Sequence, residues 1–261
     1  MVWILIIPIS IYLVSLSLLY FNQEKLIFFP DVLPQDFVFK FDNSFEEKFI
    51  ETPDGKILNG LLFKADSSRG VIFYLHGNSG AVNFWGFISE IYDDLNYDIF
   101  ILDYRGYGKS QGKIENEKQL YADVQLAYSM IAKEYNENQI IIIGQSLGTG
   151  PASLLAGQNN PKQLILISPY YSVSDLVSHN YKIVPSFLIK YKFPTNEFIK
   201  DIKSPIVILH GNKDKTIYVD SSKKLIKLCK PSDKLFIIDN LGHNGIYDNF
   251  EFLKLLKENI L

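Results

Sequence analysis

The stretch IIIIGQSLGTG, residues 140–150, runs four isoleucines into a segment where a single serine stands among glycines. A short run of β-branched residues bounded by turn formers reads as a strand covered on both faces, and the ASLLAG that follows reads as a helix. A strand that turns abruptly into a helix strains the residue at its apex, and side chains two positions to either side would collide with the crossing segments. Gly144 and Gly148 remove that collision. Ser146 is then displayed above the sheet edge, where the start of the helix directs N–H groups and the positive end of its dipole.

Working outward, VIFYLHG, YDIFILDYRG, QLILISP, PIVILHG and KLFIID repeat the same apolar texture. Between them ENEKQLYADVQLAYSMIAKEY, TGPASLLAGQ and YVDSSKKLIKLCK carry helical patterns, and NGIYDNFEFLKLLKENIL closes the chain as another helix. This alternation predicts an α/β fold with a mostly parallel central sheet and helices on both faces. Ahead of it, FEEKFIETPDGKILNGLLFKA predicts an antiparallel N-terminal hairpin turning at Pro53, Asp54 and Gly55. Ligands bind such sheets at the carboxyl ends of the strands, where HGNSG, DYRGYGKSQG, GQSLGTG and HGNKD gather the glycines and polar residues.

Two nucleotide-binding patterns fail in these loops. GYGKS holds the Gly-Lys-Ser of a phosphate loop, but the earlier glycine that motif needs falls at Asp103. Gly148 and Gly150 begin a dinucleotide fingerprint whose third glycine is replaced by Ser153.

A serine hydroxyl needs a base to become a nucleophile, and the chain has four histidines. His76 and His210 each close a strand before a glycine and read as turn-shaping residues, while His179 lies in an irregular surface segment. His243, between the final strand and the C-terminal helix, is the one on a loop at the active edge. The carboxylate that orients it is expected at Asp214, after the penultimate strand, with Asp175 and Asp239 as alternatives, the latter read as lying within a strand. An oxyanion hole needs two backbone donors, expected at Leu147 and at Asn78 in the HGNSG loop.

The sequence has 261 residues, 47% of them hydrophobic, enough for one sizeable core. A net charge of −3 leaves no basic stripe for phosphates, so nucleic acid is excluded as an expected partner. The single cysteine, Cys229, reads as a packing thiol, and alone it forms neither a disulfide framework nor a zinc cluster.

From Val2 to Phe21 no side chain is charged, and at about 1.5 Å per residue this run approaches the ~30 Å of a bilayer's hydrocarbon core. A single-pass transmembrane helix is expected, with Trp3, Tyr20 and Phe21 at the interfaces and Lys25 reaching for head groups. A cleaved signal at the small pair Ser15 and Ser17 is the alternative, and the orientation stays open. The expected organisation is an anchor over 1–21, a connector over 22–45, and one domain over 46–261 with a lid at about 170–204.

YLHGNSG, DYRGYGKSQG, GQSLGTG, SPY, KSPIVILHGNKD and GHN, in that order, resemble the α/β-hydrolase superfamily. Within it the chain is most similar to membrane-anchored serine hydrolases related to serine-aminopeptidase-type and depalmitoylase-like enzymes. The resemblance implies a Ser146, Asp214, His243 triad, acyl-enzyme chemistry and no cofactor. The expected activity is hydrolysis of carboxylic esters or thioesters, acting on a small acyl ester or lipid-like substrate. Amide hydrolysis of the aminopeptidase type, or a non-catalytic membrane-tethered scaffold, are the alternatives.

Overall fold

A computed structural model describes residues 2–260, with the side chains of 2–5 and of Asp93 outside the description. Its centre is an eight-stranded sheet. In chain order the strands are β1 (Phe45–Glu51), β2 (Ile57–Phe63), β3 (Val71–Leu75), β4 (Asp98–Asp103), β5 (Ile140–Gln145), β6 (Gln163–Ile167), β7 (Ile206–Gly211) and β8 (Lys234–Ile238). Across the sheet they lie β1-β2-β4-β3-β5-β6-β7-β8. Only the two pairings of β2 are antiparallel, so the expected hairpin leads into a parallel sheet.

The four isoleucines show why the sheet is buried on both sides. Successive side chains of a strand point to opposite faces. Ile140 and Ile142 join one core with Leu120, Val124 and Ile131 of α3 (Glu117–Glu134) and Ala152 and Leu155 of α4 (Thr149–Gln158). Ile141 and Ile143 join the other with Trp85, Ile88 and the C-terminal helix, Phe250–Glu258. That last helix starts later than its apolar pattern alone predicts. Gly245 takes a positive φ of 70°, a 3₁₀ turn follows at Ile246–Asp248, and the Asn249 side chain caps the helix by accepting from Phe252 N–H at 2.9 Å. Asp239 also lies outside the last strand, just past its end at Ile238.

The expected lid region contains α5 (Val173–Asn180), a 3₁₀ turn at Ser186–Leu188 and a short helix at Thr195–Phe198. Tyr170, Tyr191 and Phe193 pack it onto the body, while Tyr181 and Phe187 stay exposed. The connector is not a free linker. Phe39, Phe41, Phe45 and Phe63 form a chain of ring contacts along the edge of the sheet.

The N-terminal residues form α1 (Val2–Phe21) and α2 (Gln23–Ile27). Among the described residues no helix is long and apolar enough to cross a membrane. The single-pass span expected from the sequence is thus not supported among the described residues, where α1 is an exposed apolar helix, and Trp3 falls outside the described side chains. Helix α1 is tied to the lid at its middle and its end: Tyr12 Oη donates to the Ile183 carbonyl at 2.6 Å, and Lys190 sits 4.8 Å over the Tyr20 ring. In α2, Gln23 exchanges hydrogen bonds with the backbone of Leu188 and Lys190.

Candidate active site

The turn after β5 puts Ser146 at φ 51°, a left-handed conformation that non-glycine residues rarely hold. A Cβ on Gly144 would lie 2.6 Å from the Gly148 carbonyl, and one on Gly148 would lie 2.1 Å from the Leu75 carbonyl. Both neighbours are backbone, so neither yields. The apex is braced further by Thr149 Oγ1, which donates to the Ser146 carbonyl at 2.6 Å. Tyr170 Oη accepts from Gly150 N–H at 3.1 Å and donates to the Leu147 carbonyl at 3.0 Å.

Ser146 Oγ lies 3.0 Å from His243 Nε2, and His243 Nδ1 lies 2.7 Å from Asp214 Oδ2. The three residues expected from the sequence thus meet, although 97 positions separate the serine from the histidine. Asp214 is also held by the backbone N–H groups of Thr216 and Ile217 at 2.9 and 2.8 Å, and His210 Nε2 approaches it at 3.3 Å. Burial alone would raise this carboxyl. Hydrogen bonds from His210 and His243, the charge of a protonated His243 and the Ile217 N–H outweigh burial and hold the group well below the usual carboxylate range. An ionised Asp214 accepts from His243 Nδ1–H, which leaves the Nε2 lone pair facing the serine hydroxyl.

The other carboxylates considered are occupied elsewhere. Asp175 accepts from Tyr218 Oη and, at 2.8 Å, from Lys224 Nζ, while Asp239 accepts from Asn212 Nδ2 at 2.6 Å. His179 stacks on Tyr218 with ring centres 3.8 Å apart. His76 and His210 are buried turn residues, the second fixed by Ser222 Oγ at 2.6 Å and the Ile217 carbonyl at 2.8 Å. Sequence reading missed that His210 also flanks Asp214, because its four-residue spacing brings the two together only once the loop folds back. Cys229 is half-buried, its thiol pushed up to about 12 by burial, and it is inert at neutral pH.

The HGNSG loop runs beside the serine: a Cβ on Gly77 would lie 3.8 Å from Ser146 Cβ. Asn78 follows Gly77 in this loop and Leu147 follows Ser146, the two positions at which the sequence places the oxyanion donors. A cavity of about 340 Å³ opens on the His243 side, lined by Phe84, Trp85, Phe87, Gln145 and Tyr247. A second, of about 420 Å³, lies between the N-terminal helices and α5, lined mainly by aliphatic side chains including Leu26, Ile27, Val173 and Val177.

A sheet of this strand order, carrying a serine at a strand–helix elbow, defines an α/β hydrolase. The profile of the family named serine aminopeptidase, S33, matches residues 66–196, and the chain belongs to that family. A putative alpha/beta hydrolase of Acanthamoeba polyphaga mimivirus is 30% identical over 86% of this chain and 88% of its own. The alpha/beta hydrolase domain-containing protein 17B of Xenopus laevis is 33% identical over 74% of this chain and 66% of its own. Among solved structures, an esterase of Pyrococcus furiosus superposes with a TM-score of 0.71 at 18% identity, covering 89% of this chain and 97% of that one.

Proposed function

We propose that the protein is a serine hydrolase that cleaves carboxylic esters or thioesters through an acyl-enzyme. The observation that carries this reading is the hydrogen-bonded line from Ser146 Oγ through His243 to Asp214, at 3.0 and 2.7 Å. His243 Nε2 takes the hydroxyl proton as Ser146 Oγ bonds to the acyl carbon, and Asp214 stabilises the imidazolium. The carbonyl oxygen becomes an oxyanion that the N–H groups of Asn78 and Leu147 receive. Collapse of this adduct breaks the bond to the alcohol or thiol, which leaves with the proton from His243. Water then gives its proton to His243 and attacks the acyl-enzyme, releasing the acid and restoring Ser146.

Because His243 must reach the leaving atom, the aromatic cleft at Phe87 and Tyr247 is the leaving-group side. The aliphatic cavity between the N-terminal helices and α5 supports a lipid-like substrate. Exposed apolar side chains along α1, among them Ile7, Leu13, Leu18 and Phe21, support contact of this face with lipid. The family's aminopeptidase name favours a second reading, amide cleavage by the same residues. A panel of p-nitrophenyl esters, acyl thioesters and aminoacyl amides tests the assignment. Turnover of esters or thioesters that Ser146→Ala abolishes is expected, and turnover of the amides alone would move the assignment to peptidase.

A further inference from the structure

We propose that residues 27–33, the strap joining the N-terminal helices to the sheet, position the oxyanion hole by holding Asn78. The proposal rests on Asn78 N–H being an oxyanion donor of the hydrolase described above. A backbone donor has no rotamer to fix it, and its aim is the orientation of its peptide plane. Here that plane follows a glycine, the residue least able to resist rotation.

Every neighbouring group of this peptide is held from elsewhere. His76 Nδ1 lies 2.7 Å from the Gly77 carbonyl, the oxygen of the same peptide unit, and must donate because a carbonyl only accepts. In a trans peptide the N–H points away from that carbonyl, so the contact opposes a flip. The next carbonyl, that of Asn78, accepts twice, from Phe29 N–H at 2.8 Å and from Tyr107 Oη at 2.8 Å. The Asn78 side-chain amide donates to the Ile27 carbonyl at 2.8 Å.

The strap is more than a single contact. Phe29 and Pro30 pair in parallel with Ser79 and Gly80, and Asp31 N–H donates to the Gly80 carbonyl at 3.2 Å. Its far end is fastened to a second loop, where Gly108 N–H donates to the Asp31 carbonyl and Leu33 N–H to the Gly108 carbonyl, both at 2.8 Å. Phe28 is buried against Tyr191, ring centres 5.2 Å apart and edge to face. The segment that continues into α2 and α1 therefore supplies two of the three bonds that fix Asn78 beyond its own peptide unit. Phe29 and Tyr107 act here as positioning residues, touching no reacting atom.

The test uses the full chain and three variants: Tyr107→Phe, which keeps the packing and deletes one hydroxyl, Phe29→Pro, which deletes one N–H, and Asn78→Ala, which deletes the side-chain tie. Hydrolysis of a p-nitrophenyl ester is measured together with inhibition by a trifluoromethyl ketone, whose carbonyl carbon bonds to Ser146 Oγ and whose oxygen becomes the oxyanion. Each variant is expected to lose about tenfold in kcat with KM within about twofold, less than the 10²–10³ lost with a whole donor, while the ketone's Ki rises by the same factor as kcat falls. Wild-type kcat and Ki in Asn78→Ala, which cuts the tie to the Ile27 carbonyl, overturn the proposal, as do losses that track unfolded protein with Ki unchanged in the folded fraction. Should Phe29→Pro fail to fold, Asn78→Ala decides, with Tyr107→Phe measuring the share of the hold that comes from outside the strap. A wild type that turns over none of the esters, thioesters and amides, or a Ser146→Ala variant as active as wild type, instead removes the hydrolase reading itself and the proposal with it.

Discussion

Ser146 is held at φ 51° in a strained conformation by glycines, Thr149 and Tyr170, and an ordinary surface serine would relax out of it. Replacing it by alanine keeps the fold and should lower turnover by about 10⁴-fold or more, measured as kcat on a p-nitrophenyl ester. Asp214 allows a prediction about pH. Its folded pKa lies below the ~3.9 of an unfolded chain, so its contribution to stability is fully present above that value and is lost as pH falls further. The stability difference between wild type and Asp214→Asn, from urea midpoints between pH 7 and pH 3, should narrow below about pH 4. A constant difference across that range would contradict it. These three residues were legible in the sequence because each sits at a strand end in a distinctive loop. The two hydrogen bonds of His210, to Ser222 and to Ile217, carry no such mark, since they arise from packing between groups that only the folded loop brings together.

At the level of elements, the elbow is legible because it is local: one strand, one turn and one helix within a few residues. Gly148→Ala should prevent folding of the elbow, because its Cβ would lie 2.1 Å from the Leu75 carbonyl, and loss of soluble folded protein checks it. Tyr170→Phe is gentler. It leaves Gly150 N–H and the Leu147 carbonyl without the partner they share, and should destabilise the fold by about 1–3 kcal/mol in urea. What could not be read was the course of the connector. Its prolines and phenylalanines announce neither strand nor helix, and the two-residue ladder to Ser79 and Gly80 is too short for any periodicity. The late start of the C-terminal helix has the same character, since a cap and a left-handed glycine override an apolar pattern that began earlier.

Across the whole molecule, two apolar layers enclose the sheet, and the unbroken apolar run of β5 that feeds both is the pattern from which a strand covered on both faces was read. Buried charge is concentrated at Arg105, which forks to Asp54 with both contacts at 2.7 Å and to Asp123 at 2.5 and 3.0 Å. Arg105→Ala strands the buried Asp123 carboxylate and should cost about 3–5 kcal/mol, seen as a lower urea midpoint. The N-terminal run was expected to span a bilayer from the length of its uncharged stretch and the aromatics at its ends. Hydropathy does not register that this helix is hydrogen-bonded to the lid. The central claim, that one serine hydroxyl is activated through His243, is tested most directly by treating the full chain with a fluorophosphonate and mapping the adduct by mass spectrometry. The account predicts a single adduct on the peptide containing Ser146, formed far more slowly in His243→Ala. An adduct elsewhere, or equal labelling of Ser146→Ala, would contradict it.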